Sequence, residues 1–294
     1  MTGRDAALAL LTSIIWGLAF VAVKLGLESF SPAQLVLIRF LIAGLLVFVV
    51  ERPKITWLSI VLIGMTLFTG QFLLLFFAYQ LGLPPGLASV TQQTQALFTV
   101  LLAATFYRDL PNLKQRTGML MAFAGLAVIG LTVGGDLKPI ALGLALAGAF
   151  SWAIGNVLIK RNPRILITSL VVWCSLVPPL PALIVSSALD REDLVRALFT
   201  ASWVSFGAAL YLGFFATVLA YVIWGRLLQH YPAAAVAPFA LVAPCTGILA
   251  SAMVFGEAFS PIRYSGMALI LIGLGVANLP IRWTRSSSFP ARAT

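Results

Sequence analysis

The chain has 294 residues, of which 61% are hydrophobic and 10% charged, and its mean hydropathy is +1.02. A soluble domain carries about 25% charged and about 45–50% apolar residues, so a water-soluble globule is excluded. The net charge of +10 would suggest nucleic acid in a soluble protein. Here the basic residues sit in short loops between apolar runs, where they set topology and meet anionic lipid headgroups, so membrane lipids and not nucleic acid are the expected partners.

Apolar runs separated by charge or by Pro and Gly predict an all-α membrane protein with ten transmembrane helices, at 6–23, 33–50, 57–80, 84–106, 117–135, 140–158, 166–188, 203–225, 232–254 and 264–281. The 53 charge-free residues between Lys54 and Arg108 alone suffice for two crossings of about 20 residues each. The first run is longer than a signal-peptide core and shows no small-x-small exit, so no cleaved leader is expected. It carries Trp16 near its middle and Lys24 at its end. The second carries Arg39 early enough to snorkel to the surface. The third ends near Tyr79, and Pro84-Pro85 turns the chain into the fourth.

The fourth segment holds Thr91-Gln92-Gln93-Thr94-Gln95 near its middle. Five consecutive polar residues cannot all face lipid. Gln92, Gln95 and Thr99 share one helical face through i, i+3 and i+7 spacing. They are candidate substrate contacts, because a Gln amide both donates and accepts; the alternative is hydrogen bonding that only packs the bundle. In the sixth segment, Ala141, Ala145, Ala149 and Ala153 form a ridge for close helix approach, and Trp152 and Asn156 lie one turn apart. Tyr221 and Trp224 follow in the eighth. With Trp16, Tyr79 and Trp152 they are candidate cavity walls suited to a large apolar side chain, or else aromatic packing between helices. Trp57, Trp203 and Trp283 read as interfacial anchors. The ninth segment contains Pro238 and Pro244. Each removes a backbone donor, and Pro244 is the candidate for a cavity-lining break, with a plain packing kink as the alternative. Cys174 and Cys245 fall inside apolar runs, so no disulfide is expected.

An even number of spans puts both termini on one face. That face carries 13 Lys and Arg residues against five on the other, which places the termini in the cytoplasm, followed by a basic tail at 282–294. The sequence also repeats. Trp16 and Lys24 match Trp152 and Lys160 at an offset of 136; Pro84, Asp109, Gly118, Met119 and Gly125 match Pro232, Glu257, Gly266, Met267 and Gly273 at 148. The added residues fall around Asp190–Asp193. Two units follow, 6–135 and 140–281, each with five helices. An odd number makes the second unit insert inverted, as in many secondary transporters, whose site lies mid-membrane between the halves.

Trp16-Gly17 with Lys24, Arg39, Asp109, and Trp152 with Lys160 and Glu257 resemble the drug/metabolite transporter superfamily. Within it the likeness is to the ten-helix EamA-type members, among them the YddG-type aromatic amino-acid exporters. The resemblance covers residues 6–281. It implies export of amino acids or related metabolites across a bacterial inner membrane, through a central cavity built mostly from the first, third, fourth, sixth, eighth and ninth helices.

No Asp or Glu lies near the centre of any segment. A proton-coupled pump for cationic drugs would need one in the substrate path, and a carrier of phosphorylated sugars would need central Lys or Arg. The expected cargo is therefore neutral or zwitterionic, with aromatic or other apolar amino acids preferred and alternating access as the mechanism. A broad-specificity exporter and a non-transporting lipid-handling or sensory protein are the alternatives. His230 is the only histidine, and no metal-ligand, nucleophile or phosphate-loop pattern is present, so neither enzyme activity, metal nor cofactor is expected.

Overall fold

The computed structural model describes residues 1–108, 110–132, 136–161, 165–190, 193–231 and 233–278, the side chains at 233, 234, 237, 238 and 278 left aside. Asp109, Arg191, Glu192, Pro232, Trp283, the tail 282–294 and the Pro238 side chain, all used above, lie outside it. The described elements are helices: α1 (Gly3–Gly26), α2 (Pro32–Phe48), α3 (Trp57–Gln80), α4 (85–107), α5 (Leu113–Gly130), α6 (Pro139–Lys160), α7 (Ile167–Leu189), α8 (Trp203–His230), α9 (233–255) and α10 (Pro261–Asn278). Five of them, α1, α3, α6, α7 and α8, are each long and apolar enough to cross a membrane, and shorter apolar stretches lie in α2, α9 and α10. The protein is an all-helical, multi-pass membrane protein.

Several boundaries differ from the expected ones for identifiable reasons. Helix α5 starts at Leu113, four residues early, because Asn112 and Gln115 close a capping box; Lys114 and Arg116 are tolerated in its first turns, where a charge-free window would have excluded them. Helix α7 breaks between Cys174 and Pro179, since Pro178-Pro179 cannot continue the preceding turns. An additional short helix, Leu194–Thr200, capped by Asp193, fills the place where extra residues were expected.

Four irregularities interrupt the long helices, and they fall in corresponding places. Wide π turns occupy Gly64–Gly70 in α3 and Tyr211–Leu219 in α8. In each, a threonine hydroxyl reaches back five residues to cap a carbonyl: Thr69 to Gly64 O at 3.2 Å and Thr217 to Leu212 O at 2.8 Å. Helix α4 tightens to a 3-10 turn at Gln92–Thr94, and α9 is interrupted at Leu241. Both α4 and α9 end on a left-handed residue, Arg108 (φ 55°) and Gly256 (φ 65°).

Helices α5 and α10 cross with their backbones in contact. A Cβ added at Gly125 would lie 2.5 Å from Gly266 O, one at Gly266 2.8 Å from Gly125 O, and one at Gly273 2.5 Å from Gly118 O. Only glycine lets these backbones meet. The Ala141–Ala153 ridge of α6 is fully buried where that helix packs on α3 and α4, while α1 packs on α8 and α9. Cys174 is buried and Cys245 exposed, and both are free. Trp57 and Trp203 are exposed, the latter 89%, as anchors facing lipid would be.

Replacing Gly125 by Ala forces a methyl into the α10 backbone and is expected to destabilise the protein by about 1–3 kcal/mol. Replacing Gly143, where a Cβ meets nothing within 4 Å, is expected to be neutral or slightly stabilising, by up to about 1 kcal/mol from helix propensity. Thermal denaturation of both variants in detergent checks the contrast.

Candidate functional site

A cavity of about 460 Å³ lies among α1, α2, α3, α4, α6, α7, α8 and α9. It reaches from mid-bundle towards the end where Ile159, Ile167 and Leu228 close α6, open α7 and approach the end of α8. That is also the end where α1 begins, since Tyr231 donates to Asp5 at 2.7 Å.

One part of the wall is aromatic. The Trp16 ring meets Tyr221 at 5.4 Å and Trp224 at 5.1 Å between centroids. Trp16 is held by its indole N–H, which donates to Ala216 O at 3.1 Å within the π turn of α8. A wide turn exposes carbonyls that a regular helix would use internally, so the backbone irregularity and the ring orientation have one cause. Tyr211 returns a bond from α8 to α1, donating to Ile15 O at 2.8 Å. Trp152 stands on the same cavity wall.

Another part is amide-rich. Asn156 donates to Gln95 Oε1 at 2.8 Å and to Thr99 Oγ1 at 3.2 Å. Gln92 donates to Ala145 O at 2.9 Å, while its own Oε1 is buried with no hydrogen-bond partner. The Oε1 of Gln71, on α3, is in the same state. An amide oxygen left this way is costly, and both lie packed behind the cavity surface.

Of the ten residues expected at the site, Trp16, Gln92, Gln95, Trp152, Asn156, Tyr221 and Trp224 line this cavity. Thr99 sits behind the wall as the Asn156 acceptor. Pro244 is buried between helices, its carbonyl accepting from Ser89 at 3.2 Å, while Ala240 and Ala243 beside it form the wall. Ala240 precedes Pro244 by four residues, so its carbonyl lacks the usual helical donor. Tyr79 belongs elsewhere: its hydroxyl donates to Phe20 O at 3.2 Å, and its ring lines a second cavity of about 510 Å³ with Lys24, Glu28 and Glu257.

Two polar wall residues escaped the sequence reading. Gln71 is the amide in the interior of the charge-free third segment, which Gln80 ends, and its isolation among apolar residues was the available signal. Arg39 does not snorkel: it is 4% exposed and faces the cavity. Its Nε donates to Thr217 Oγ1 at 2.9 Å and its guanidinium lies 3.9 Å over the Phe72 ring, contacts that hold it inward.

Beyond the cavity, at the other end, Lys24 pairs with Glu257 at 3.3 Å and lies 4.1 Å over the Phe255 ring. Glu257 also accepts from Gly86 N at 3.2 Å and from the Ser251 hydroxyl. These contacts tie α1, α4 and α9 together. The loop before α6 is fastened to α10 by Arg263, which grips Asp136 and donates to Thr132 Oγ1 at 3.0 Å. That contact holds the Asp136 carboxyl below its usual range.

Comparison with known proteins fits this architecture. A "Probable amino-acid metabolite efflux pump" of Salmonella typhimurium is 38% identical over 98% of this chain and 99% of its own. The protein of the same name in Escherichia coli K12 is 35% identical, over 97% and 98%. A "Probable terminal-alkyne amino-acid exporter" of Streptantibioticus cattleyicolor is 25% identical over 96% of both chains. A crystal structure 20% identical in sequence, covering 94% of this chain and 97% of its own, superposes with a TM-score of 0.66 and shares the fold. The EamA-like transporter family matches twice, at residues 5–131 and 139–279, and the chain belongs to that family.

Proposed function

We propose that the protein is a secondary transporter that exports amino acids, aromatic or other apolar ones preferred, and related metabolites across a bacterial inner membrane. The observation that carries this reading is the central cavity, whose wall joins a Trp16–Tyr221–Trp224 cluster to the side-chain amides of Gln71, Gln92, Gln95 and Asn156. Rings suit an apolar side chain, and amides suit the polar end of an amino acid. The names carried by the relatives give the direction and the compound class.

Alternating access by ten spans, arranged as inverted five-helix repeats at 6–135 and 140–281, is part of the proposal. Its support is the recurrence of backbone features at the offset of 148. Thr69 capping Gly64 corresponds to Thr217 capping Leu212, the 3-10 turn of α4 to the Leu241 break, and Arg108 to Gly256. The α5–α10 crossing is reciprocal in the manner of a two-fold contact: Gly118 meets Gly273 while their counterparts Gly266 and Gly125 meet each other. The lysines follow the same rule. Lys24 lies over Phe255, and its counterpart Lys160 lies 5.2 Å from the ring of Tyr107, the counterpart of Phe255.

In this reading the termini and the tail 282–294 are cytoplasmic, and the Lys24–Glu257 pair closes the outer end. Lys24 is 42% exposed and Glu257 10%. With the lysine partly in water the pair is screened, and in this reading it opens in every cycle, while Glu257 keeps its bonds to Gly86 and Ser251. By the sequence offsets of 136 and 148, the counterparts of Lys24 and Glu257 are Lys160 and Asp109.

Purified protein in proteoliposomes is expected to carry labelled amino acids saturably, and no saturable flux of any amino acid would refute the proposal. Replacing Gln92 or Gln95 by Leu should lower flux about tenfold or more at unchanged membrane abundance, as loss of one or two hydrogen bonds to substrate predicts. Normal flux in both variants would make the amides structural only. For the outer closure, Glu257→Gln should speed labelling of a cysteine placed at Ala243 by an impermeant thiol reagent added outside, with Cys174 and Cys245 replaced by Ala. An unchanged rate would remove the pair from the gating scheme.

A further inference from the structure

Arg39 is the charged residue on the wall of the central cavity, and its environment differs from that of a structural cation. It is nine-tenths buried on α2, where an unpaired charge is costly. Among the described residues no carboxylate pairs with it. Its partners are the Thr217 hydroxyl at 2.9 Å on one nitrogen and the faces of Phe72 and Phe40, 3.9 Å and 5.5 Å from the guanidinium carbon. A guanidinium has five N–H donors in a rigid fork, and the contact to Thr217 uses one.

The fork is also aimed. Thr217 donates its hydroxyl hydrogen to Leu212 O, so the Thr217 oxygen is left as an acceptor and takes the Arg39 Nε. Phe72 supports the flat face of the same group. Nε and one face are thereby fixed, and the two terminal nitrogens remain for the cavity. Carboxylate and phosphate both match two parallel guanidinium donors. A buried central arginine removes the sequence-based ground for excluding phosphorylated cargo, and the relatives named for amino-acid export favour the carboxylate. The amides of Gln71, Gln92, Gln95 and Asn156 stand on the same wall; the unpartnered Oε1 atoms of Gln71 and Gln92 are packed away from the cavity, and reach an ammonium only if their side chains turn. Trp16, Tyr221 and Trp224 supply an apolar surface.

We propose that Arg39 is the specificity residue for the substrate carboxylate, which it takes through its terminal nitrogens, so that the cavity selects acids and zwitterions over the corresponding amines. This rests on the reading of the cavity as an amino-acid site and adds to it the residue that recognises the acid group. Lysine at this position would keep the charge but lose the fork.

The test is counterflow in proteoliposomes with labelled phenylalanine and labelled leucine. Each is competed by its unlabelled parent and by its decarboxylated amine, phenethylamine or 3-methylbutylamine. Wild-type protein should prefer the amino acid to the amine at least tenfold. In Arg39→Gln the apparent affinity for the amino acid should fall at least tenfold while that for the amine changes less than twofold, and Arg39→Lys should lie between. An Arg39→Gln protein whose ratio of amino acid to amine matches wild type would overturn the proposal, because a purely structural role weakens both competitors alike. If Arg39→Gln is aggregated on size exclusion, Arg39→Lys decides by the same ratio. Absence of wild-type flux refutes the transport reading itself; wild-type flux with an unchanged ratio refutes only the role of Arg39.

Discussion

The structure depends on one constraint: inside a bilayer core, a backbone carbonyl or amide released from its helix has no water to turn to. Every departure from regular helix must therefore be satisfied by protein or by a ligand. The π turns of α3 and α8 meet this requirement with Thr69 and Thr217, and the α8 turn also receives the Trp16 indole at Ala216 O. One irregular stretch thus places an aromatic wall residue, through Trp16, and orients the cavity cation, through Thr217 and Arg39. The site is a consequence of where the helices are allowed to be irregular.

The same constraint explains why the polar cavity lies among these helices. Helices α4 and α9 are interrupted at Gln92–Thr94 and at Leu241, and both line the cavity, with Gln92, Gln93, Gln95, Ala240 and Ala243 on its wall. Helices α5 and α10, whose glycines bring the two backbones into contact, contribute nothing to it. A tight, dry crossing holds the bundle together, whereas the interrupted helices provide unpaired polar atoms and room for a guest.

Much of this was legible in the sequence because the signals were compositional or covalent. Apolar length predicted the helices, and the ungapped offset of 148 marked Gly118, Gly125, Gly266 and Gly273 before their contacts were seen. Trp16, Gln92, Gln95, Trp152, Asn156, Tyr221 and Trp224 stood out as polar or amphipathic residues at mid-span, and they line one cavity. What could not be read was direction. Arg39 and a snorkelling arginine look alike in sequence, and only the Thr217 and Phe72 contacts turn it inward. Tyr79 had the credentials of a wall residue, yet it lines the second cavity with Lys24 and Glu257, at the other end of the bundle. Threonines as π-turn caps carried no linear signal, because a five-residue back-bond is a property of the turn and not of the residue type.

Charge scarcity first separates this chain from soluble proteins, but the few charges that remain divide into two kinds. Lys24 and Glu257 meet at the rim, one of them 42% exposed, where pairing is weak and reversible. Arg39 lies buried and, among the described residues, without an acid, where a protein carboxylate would neutralise it permanently. An internal Asp or Glu beside Arg39 would fill its fork at all times and compete with any acidic guest. Among the described residues no carboxylate stands beside Arg39, so the fork of the cation on the cavity wall is left unfilled by protein.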